Sequence, residues 1–489
     1  MRRVMNRIIA RSLLGVPAVF GVALSLALGG CSTVGGVADS IFGRDTDPKP
    51  GQAGYVSGFL GGTVADEPRA ALLGREVLAA GGSAGDAAVA MGFALSVTLP
   101  SRAGLGGGGV CIAYGADTAT SNGGVPQSVS FAPLAPPGGS AGGDRPAGLP
   151  MMARGLFLLH ARYGTLPFAS LIQRAEGLAH FGVPASRAFV KDLNLVAGPL
   201  LADQGARLVF SRAGAPLTEG QALVQPELAG TLARLRLQGV GDLYQGELAG
   251  RLVAASRQAG GPLSIEQLRG ALPGLSAPIV VPYHNDNVAF TNAPTDGGVA
   301  AAAAFSALMT NPSDLGAAAA RSLAAAARFR ATGGDAASVA LARDLPAADL
   351  PSLPASTTFG AFDRNGNAVM CAVTMGNLFG TGRILQGLGF LESASPASLP
   401  APLLSVGLAW NPREHAFHAA AAGSGQSGAA IAAAAGLMNA LNAGRPMSVP
   451  VPEPGRANVM VCPSLLPGRS SSCAAATDPR EAGLATNGG

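Results

Sequence analysis

One run constrains the architecture before any other: "SAGDAAVAMGFALSV", beginning at Ser83. Ser83 with Asp86 three residues on resembles a capping box, so a helix starts here and stops before Pro100. The run is apolar nearly all round. A helix with no polar face must be enclosed by other elements. Enclosure has to come from small residues, because the chain carries 70 glycines, abundant alanine and one tryptophan, Trp410. The core is therefore expected to be many closely approaching elements. "GLGGGGVCIAYG" follows directly, a glycine loop feeding a strand from Val110 to Tyr114.

Strand and helix signals then alternate in blocks. "ARGLFLLHARYGTLPFASLIQRAEGLAHFG" has apolar residues at helical spacing, and "ELAGTLARLRLQGVGDLYQGELAGRLVAASRQAGG" gives two more helices. "APIVVPYHNDNVAFTNAP" predicts paired strands, and the Ala-rich region up to Arg343 predicts helix. "LLSVGLAWNPREHAFHAAAAGSGQSGAAIAAAAGLMNAL" predicts strand, turn, strand, Gly/Ser turn and helix. From about Val451 the Pro/Ser/Gly-rich tail, residues 451–489, predicts loose order. Such alternation suggests sheets covered by helices.

The first thirty residues have the composition of an export leader: Arg2, Arg3, Arg7 and Arg11, then an apolar stretch ending in "LGGC". The cysteine after the small pair predicts a lipoprotein cleaved before Cys31 and lipidated on it, with residues 31–54 as a tether to the membrane. The four leader arginines account for the excess of 33 Lys+Arg over 29 Asp+Glu, so the remainder is close to neutral and no nucleic-acid partner is implied. An exported chain reaches a compartment where disulfides form. Cys462 and Cys473 are placed for a small loop-closing bridge, whereas Cys111 and Cys371, inside apolar runs, are expected to be buried thiols. His415 and His418 are expected on opposite faces of a strand, which gives no metal site, and "GLGGGG" lacks the Lys-Ser/Thr of a phosphate loop. No cofactor is implied.

The chemistry concentrates in "LPASTTFGAFDRNGNAVMCAVTMGNLFGTG", Leu353 to Gly382. "DRNG" is a turn between two apolar runs, so these pair as a hairpin. A two-residue turn sets Ser356 opposite Met375. A three-residue loop with Gly366 left-handed sets Ser356 opposite Thr374. In either register Thr374 is within a cross-strand step of Ser356. A hydroxyl at a strand start can attack the carbonyl before it, here Ala355. The amine freed by hydrolysis of the resulting ester titrates near neutrality and can serve that hydroxyl as base.

Several blocks in order resemble the γ-glutamyltranspeptidase family: "VLAAGGSAGDAAVAMGFALSVTLPSRAGLGGGGVCIAYG", "ARGLFLLHARYGTLPFASLIQRAEGLAHFGVPAS", "LYQGELAGRLVAASRQAGGPLSIEQL" and "STTFGAFDRNGNAVMCAVTMGNLFGTG". The resemblance spans about residues 55 to 445. It implies the N-terminal-nucleophile hydrolase fold, an α+β, four-layer αββα sandwich. It also implies cleavage at Ala355–Ser356 into a large part (55–355) and a small part (356–450) that stay together. The nucleophile falls on Ser356, where the family has Thr, and the supporting threonine on Thr374. "GSGQSG" puts Gly425 and Gln426 at the oxyanion pair, and "PLLSV" keeps Ser405 but has Leu404 for a serine. Thr358, Ser405 and Gly376 count as candidate substrate contacts, Gly376 standing where the family has Asn. "FAPLAP" has Ala132 in place of the arginine that clamps the γ-glutamyl carboxylate, and around "LESASPAS" the usual aspartate is missing, leaving Glu392 as the substitute acid. The implied activity is hydrolysis or transfer on γ-glutamyl or related small-molecule amides such as glutathione, with γ-glutamyl affinity reduced. The alternatives are an amide hydrolase for another acyl group and a non-catalytic envelope lipoprotein on the same scaffold.

Overall fold

The enclosed run is helix α2, Ala84–Thr98, and all its residues are buried. Ser83 and Asp86 form the capping box. The Asp86 carboxylate also accepts from Thr165 N, Thr165 Oγ1 and Leu166 N, tying the helix start to a distant loop. Small residues let neighbours approach: a Cβ at Gly85 would lie 2.5 Å from the Tyr163 carbonyl oxygen, and one at Gly92 2.7 Å from Leu156. The computed structural model describes residues 58–117, 122–139, 143–350, 355–400, 402–446 and 451–487. The leader, the tether and Cys31 lie outside the described residues, as do positions 351–354.

Helices α1 (Pro68–Ala79), α2, α3 (Met152–Tyr163), α4 (Phe168–Phe181), α5 (Arg187–Leu200), α6 (Pro226–Gln238) and α7 (Glu247–Ala259) form one side. They share a core with one face of a seven-stranded sheet. Its strands are β1 (Gly61–Ala65), β2 (Gly108–Tyr114), β3 (Gln127–Phe131), β4 (Gly274–Ser276), β7 (Ser356–Asp363), β8 (Ala368–Thr374) and β13 (Leu484–Thr486), in the order β13-β1-β7-β8-β2-β3-β4. The second sheet holds β5 (Ile279–Tyr283), β6 (Asp286–Phe290), β9 (Ser405–Asn411), β10 (Ala416–Ser424), β11 (Arg456–Leu466) and β12 (Ala474–Ala476), in the order β12-β11-β10-β9-β6-β5. Helices α8 (Gly297–Thr310), α9 (Leu315–Thr332) and α10 (Ala429–Ala443) cover its outer face in a second core. A third core joins the sheets face to face, with Phe362 stacked on Phe417 at 5.9 Å. Three cores between four layers make the expected αββα sandwich.

The strand period of two sorts β7 between these cores. Phe359 and Ala361 face the helices and Phe362 faces the other sheet. By the same alternation Ser356 and Thr358 lie on the inter-sheet side. Both sides are covered, so every residue of β7 and β8 is buried.

Three expectations fail. Cys111 and Cys371 form a disulfide and are not free thiols. They sit directly opposite each other on the antiparallel neighbours β2 and β8, so their side chains leave the same face together. The tail is not loose: β11 is an interior strand, paired with β10 on one side and β12 on the other. Its apolar stretch "ANVMVC" is short and flanked by Pro and Ser, which hides it in composition. The Cys462–Cys473 bridge closes the loop after that strand, as expected. His415 is in the β9–β10 turn with φ +49°, and only His418 is in the strand, its Nδ1 2.6 Å from Asp286 Oδ2. Among the described residues no cluster could hold a metal, and no helix is long and apolar enough to cross a membrane.

Candidate active site

The hairpin takes the three-residue loop. Gly366 is left-handed at φ +86°, and Ser356 pairs with Thr374. Asp363 holds the turn through the Asn365 and Asn367 amides and the Asn367 side chain, fixing the register that brings the two hydroxyls together. Thr374 Oγ1 donates 2.5 Å to the carbonyl oxygen of Ala355, the carbonyl Ser356 would attack. Gly376 N donates 2.9 Å back to Thr374 Oγ1, so the threonine hydrogen is left to point at Ala355. Gly376 has φ +78°, and a Cβ there would lie 2.8 Å from the Ala394 carbonyl oxygen, which explains glycine at this position. Ser356 is 2% exposed, and its Oγ is buried without a hydrogen-bond partner among the described residues. An orphaned buried hydroxyl is costly and rare, and a reactive role is one of the few reasons to keep one.

Behind Ser356 lies a buried polar node that the sequence reading missed. Asp66 Oδ2 accepts from Thr357 Oγ1 at 3.0 Å and from Thr358 N at 2.9 Å. Asp66 Oδ1 accepts from Asn458 Nδ2 at 2.7 Å, and that amide also donates to Thr358 Oγ1 at 2.7 Å. Thr358 thus spends its hydroxyl inside the node. Burial pushes the Asp66 carboxyl up, opposed by the Thr358 amide and Asn458. The one sequence signal was an acid directly after the apolar strand "GGTVA".

Ser405 Oγ donates 3.0 Å to the Gly297 carbonyl, a backbone contact at the start of β9. Gly425 (φ +95°) and Gln426 (φ +57°) leave β10 in consecutive left-handed conformations. A Cβ at Gly425 would collide with the Pro454 carbonyl, while Gln426 bears a side chain in a region glycine favours. These residues follow Ser424, beside the start of β9, and Leu404 one residue earlier lines a hollow with Thr374. They therefore emerge at the Ser356 end of the sandwich. Glu392 is 3% exposed with both carboxylate oxygens unpartnered among the described residues, and burial pushes it well above the usual carboxylate range, against the pull of Arg383. Gly81–Gly85 spells Gly-x-Ser-x-Gly, but Ser83 follows a helix instead of a strand and caps α2, so it is no nucleophile elbow.

The hollow beside Thr374 contains Ala132, Gly376 and Leu404, together with Thr295, Pro133, Ala394, Pro396, Leu399 and Pro402. Among the described residues no charged side chain lines it.

A four-layer αββα sandwich with a hydroxyl residue at the head of a central strand is the N-terminal-nucleophile hydrolase fold. Cephalosporin acylase from Bacillus halodurans superimposes with a TM-score of 0.70 over 91% of this chain and 98% of that one, at 18% identity, a likeness of fold. The Gamma-glutamyltranspeptidase family profile matches residues 70–329, more than half of the chain's 489 residues, and the protein belongs to that family. The matched span ends before Ser356. The Glutathione hydrolase proenzyme of Escherichia coli is 28% identical over 46% of this chain and 41% of its own length. The Acylase ACY 1 proenzyme of Pseudomonas sp. strain SE83 is 32% identical over 39% of this chain and 37% of its own. The chain spans about two-fifths of the length of these curated relatives.

Proposed function

We propose that this protein cleaves itself between Ala355 and Ser356 and then works as an amide hydrolase or acyl transferase with Ser356 as nucleophile. The observation that carries this reading is the Thr374 hydroxyl donated to the Ala355 carbonyl beside the orphaned Ser356 Oγ. In the first step the Ser356 oxygen bonds to the Ala355 carbonyl carbon while the peptide C–N bond breaks. The hydroxyl proton ends on the Ser356 nitrogen. Water then hydrolyses the ester, leaving the Ala355 carboxylate and a free Ser356 amine and hydroxyl. The same oxygen next attacks a substrate amide, with the amine as base. Thr374 positions the reacting groups, and backbone N–H groups at Gly425 and Gln426 are assigned to the oxyanion. The acyl group leaves to water or to an amine acceptor.

Glutathione hydrolases among the relatives make γ-glutamyl amides the first substrates to try. With Ala132 and Leu404 in the hollow, activity on them is expected to be low. Those two side chains also favour a second reading, a non-catalytic envelope lipoprotein on this scaffold. The lipid on Cys31 and an exported, membrane-anchored location belong to the proposal under both.

The test is a reducing denaturing gel of the purified protein beside Ser356→Ala, with N-terminal sequencing of any small fragment. A fragment beginning Ser-Thr-Thr in the parent alone is the expected result. One intact band in both overturns self-cleavage and leaves the non-catalytic reading.

A further inference from the structure

The hollow beside the Ser356–Thr374 pair contains one side-chain polar group that no described residue uses. Thr295 lines it, is 8% exposed, and has no partner for its hydroxyl among the described residues. The wall around it is Ala132, Pro133, Leu399 and Leu404, with no charge to balance a charged ligand. Burying an unpaired ionised group against such a wall is prohibitive, while an apolar chain gains by leaving water. A lone buried hydroxyl is best explained by a ligand atom that completes its hydrogen bond. In the continuous chain the hollow measures about 20 Å³, room for about one water. Thr374 is part of its lining, and the Thr374 hydroxyl holds the Ala355 carbonyl. Departure of Ala355 on cleavage releases that hydroxyl at the edge of the hollow.

We infer that this hollow is the acyl site, and that it takes a short, uncharged, mainly apolar acyl group carrying one hydrogen-bonding atom that meets Thr295 Oγ1. The inference rests on the amide-hydrolase reading for its chemistry, and Thr295 is assigned a specificity-determining role. The reaction is amide plus water giving the short carboxylic acid and the amine. The acyl–nitrogen bond breaks as the acyl–oxygen bond forms on Ser356, whose hydroxyl proton passes to the leaving amine. Water then breaks that ester, its hydroxyl going to the acyl carbon and its proton back to Ser356 Oγ.

The experiment uses the purified full chain, with its cleavage state read first by gel. Butyryl, 3-hydroxybutyryl and γ-glutamyl p-nitroanilides are compared by kcat/KM, and titration calorimetry measures butyrate, 3-hydroxybutyrate and glutamate on the same sample without turnover. The expected order is 3-hydroxybutyryl above butyryl by about tenfold, the worth of one buried hydrogen bond, with γ-glutamyl below both. Thr295→Val is expected to bring the two butyryl substrates within about a factor of two, and Thr295→Ser to restore their separation. A cleaved protein that hydrolyses the γ-glutamyl compound as fast as the others overturns the inference and leaves the hydrolase standing. Binding of 3-hydroxybutyrate over glutamate, weakened by Thr295→Val but without turnover, supports the pocket and overturns the hydrolase. Absence of both turnover and binding overturns the inference.

Discussion

At the scale of single residues, Glu392 shows how far a sequence position can mislead. Its place in "LESASPAS" makes it the substitute acid for holding a substrate amine. Its carboxyl is instead enclosed, without a partner among the described residues and outside the lining of the hollow. Burial raises it well above its ordinary value, with Arg383 opposing. The folded state therefore binds its proton more tightly than the unfolded chain does. Stability from this group is full below the unfolded value and falls as pH rises through the folded one. Glu392→Gln keeps the shape without the ionisation. Melting curves from pH 4.5 to 8 are expected to separate parent from variant progressively, the variant melting roughly 2–4 °C higher at pH 8 for each kcal/mol recovered. Parallel curves across that range would mean Glu392 is solvated or paired in solution.

At the scale of elements, the legible parts were those whose signals are local. The α2 capping box, the Gly366 turn and the alternation of β7 and β8 each lie within a few residues, and together they place Ser356 against Thr374. What remained hidden depends on which strands become neighbours, and periodicity carries no such information. Cys111 meets Cys371 across 260 residues, and Asn458 reaches Asp66 from a strand whose flanks resemble a tail. Thr295 was silent because a threonine in a turn is ordinary until its surroundings are known. The Asn458 bond makes β11 part of the support of Ser356, because Asp66 grips the amide of Thr358, two residues beyond Ser356. Asn458→Ala leaves the buried Asp66 Oδ1 without its donor and is expected to cost about 1–3 kcal/mol in chemical denaturation. It is also expected to slow appearance of the small fragment. Asn458→Asp sets two carboxyls together and is expected to cost more. An alanine variant with unchanged stability and cleavage rate would remove β11 from the site.

At the scale of the whole molecule, the proposed cut does not divide the fold. Strands β7 and β8, after the cut, lie between β1 and β2, which precede it. Separating the pieces would strip the ladders β1–β7 and β2–β8 and expose all three cores. Non-covalent association is therefore expected to survive cleavage. The Cys111–Cys371 disulfide adds a covalent tie, because one cysteine lies on each side of Ser356. Before cleavage it closes a loop within one chain, and afterwards it is the bond between two. The cleaved parent is expected to run as one species on a denaturing gel without reductant and as two with it. Cys371→Ser is expected to give two bands in both gels, still to co-purify under native conditions, and to lose roughly 2–5 kcal/mol of stability. Two bands from the cleaved parent without reductant would show that the thiols are free in the protein as isolated. Fragments of Cys371→Ser that separate under native conditions would instead show that the interleaved sheet cannot hold the pieces together, and that the disulfide does.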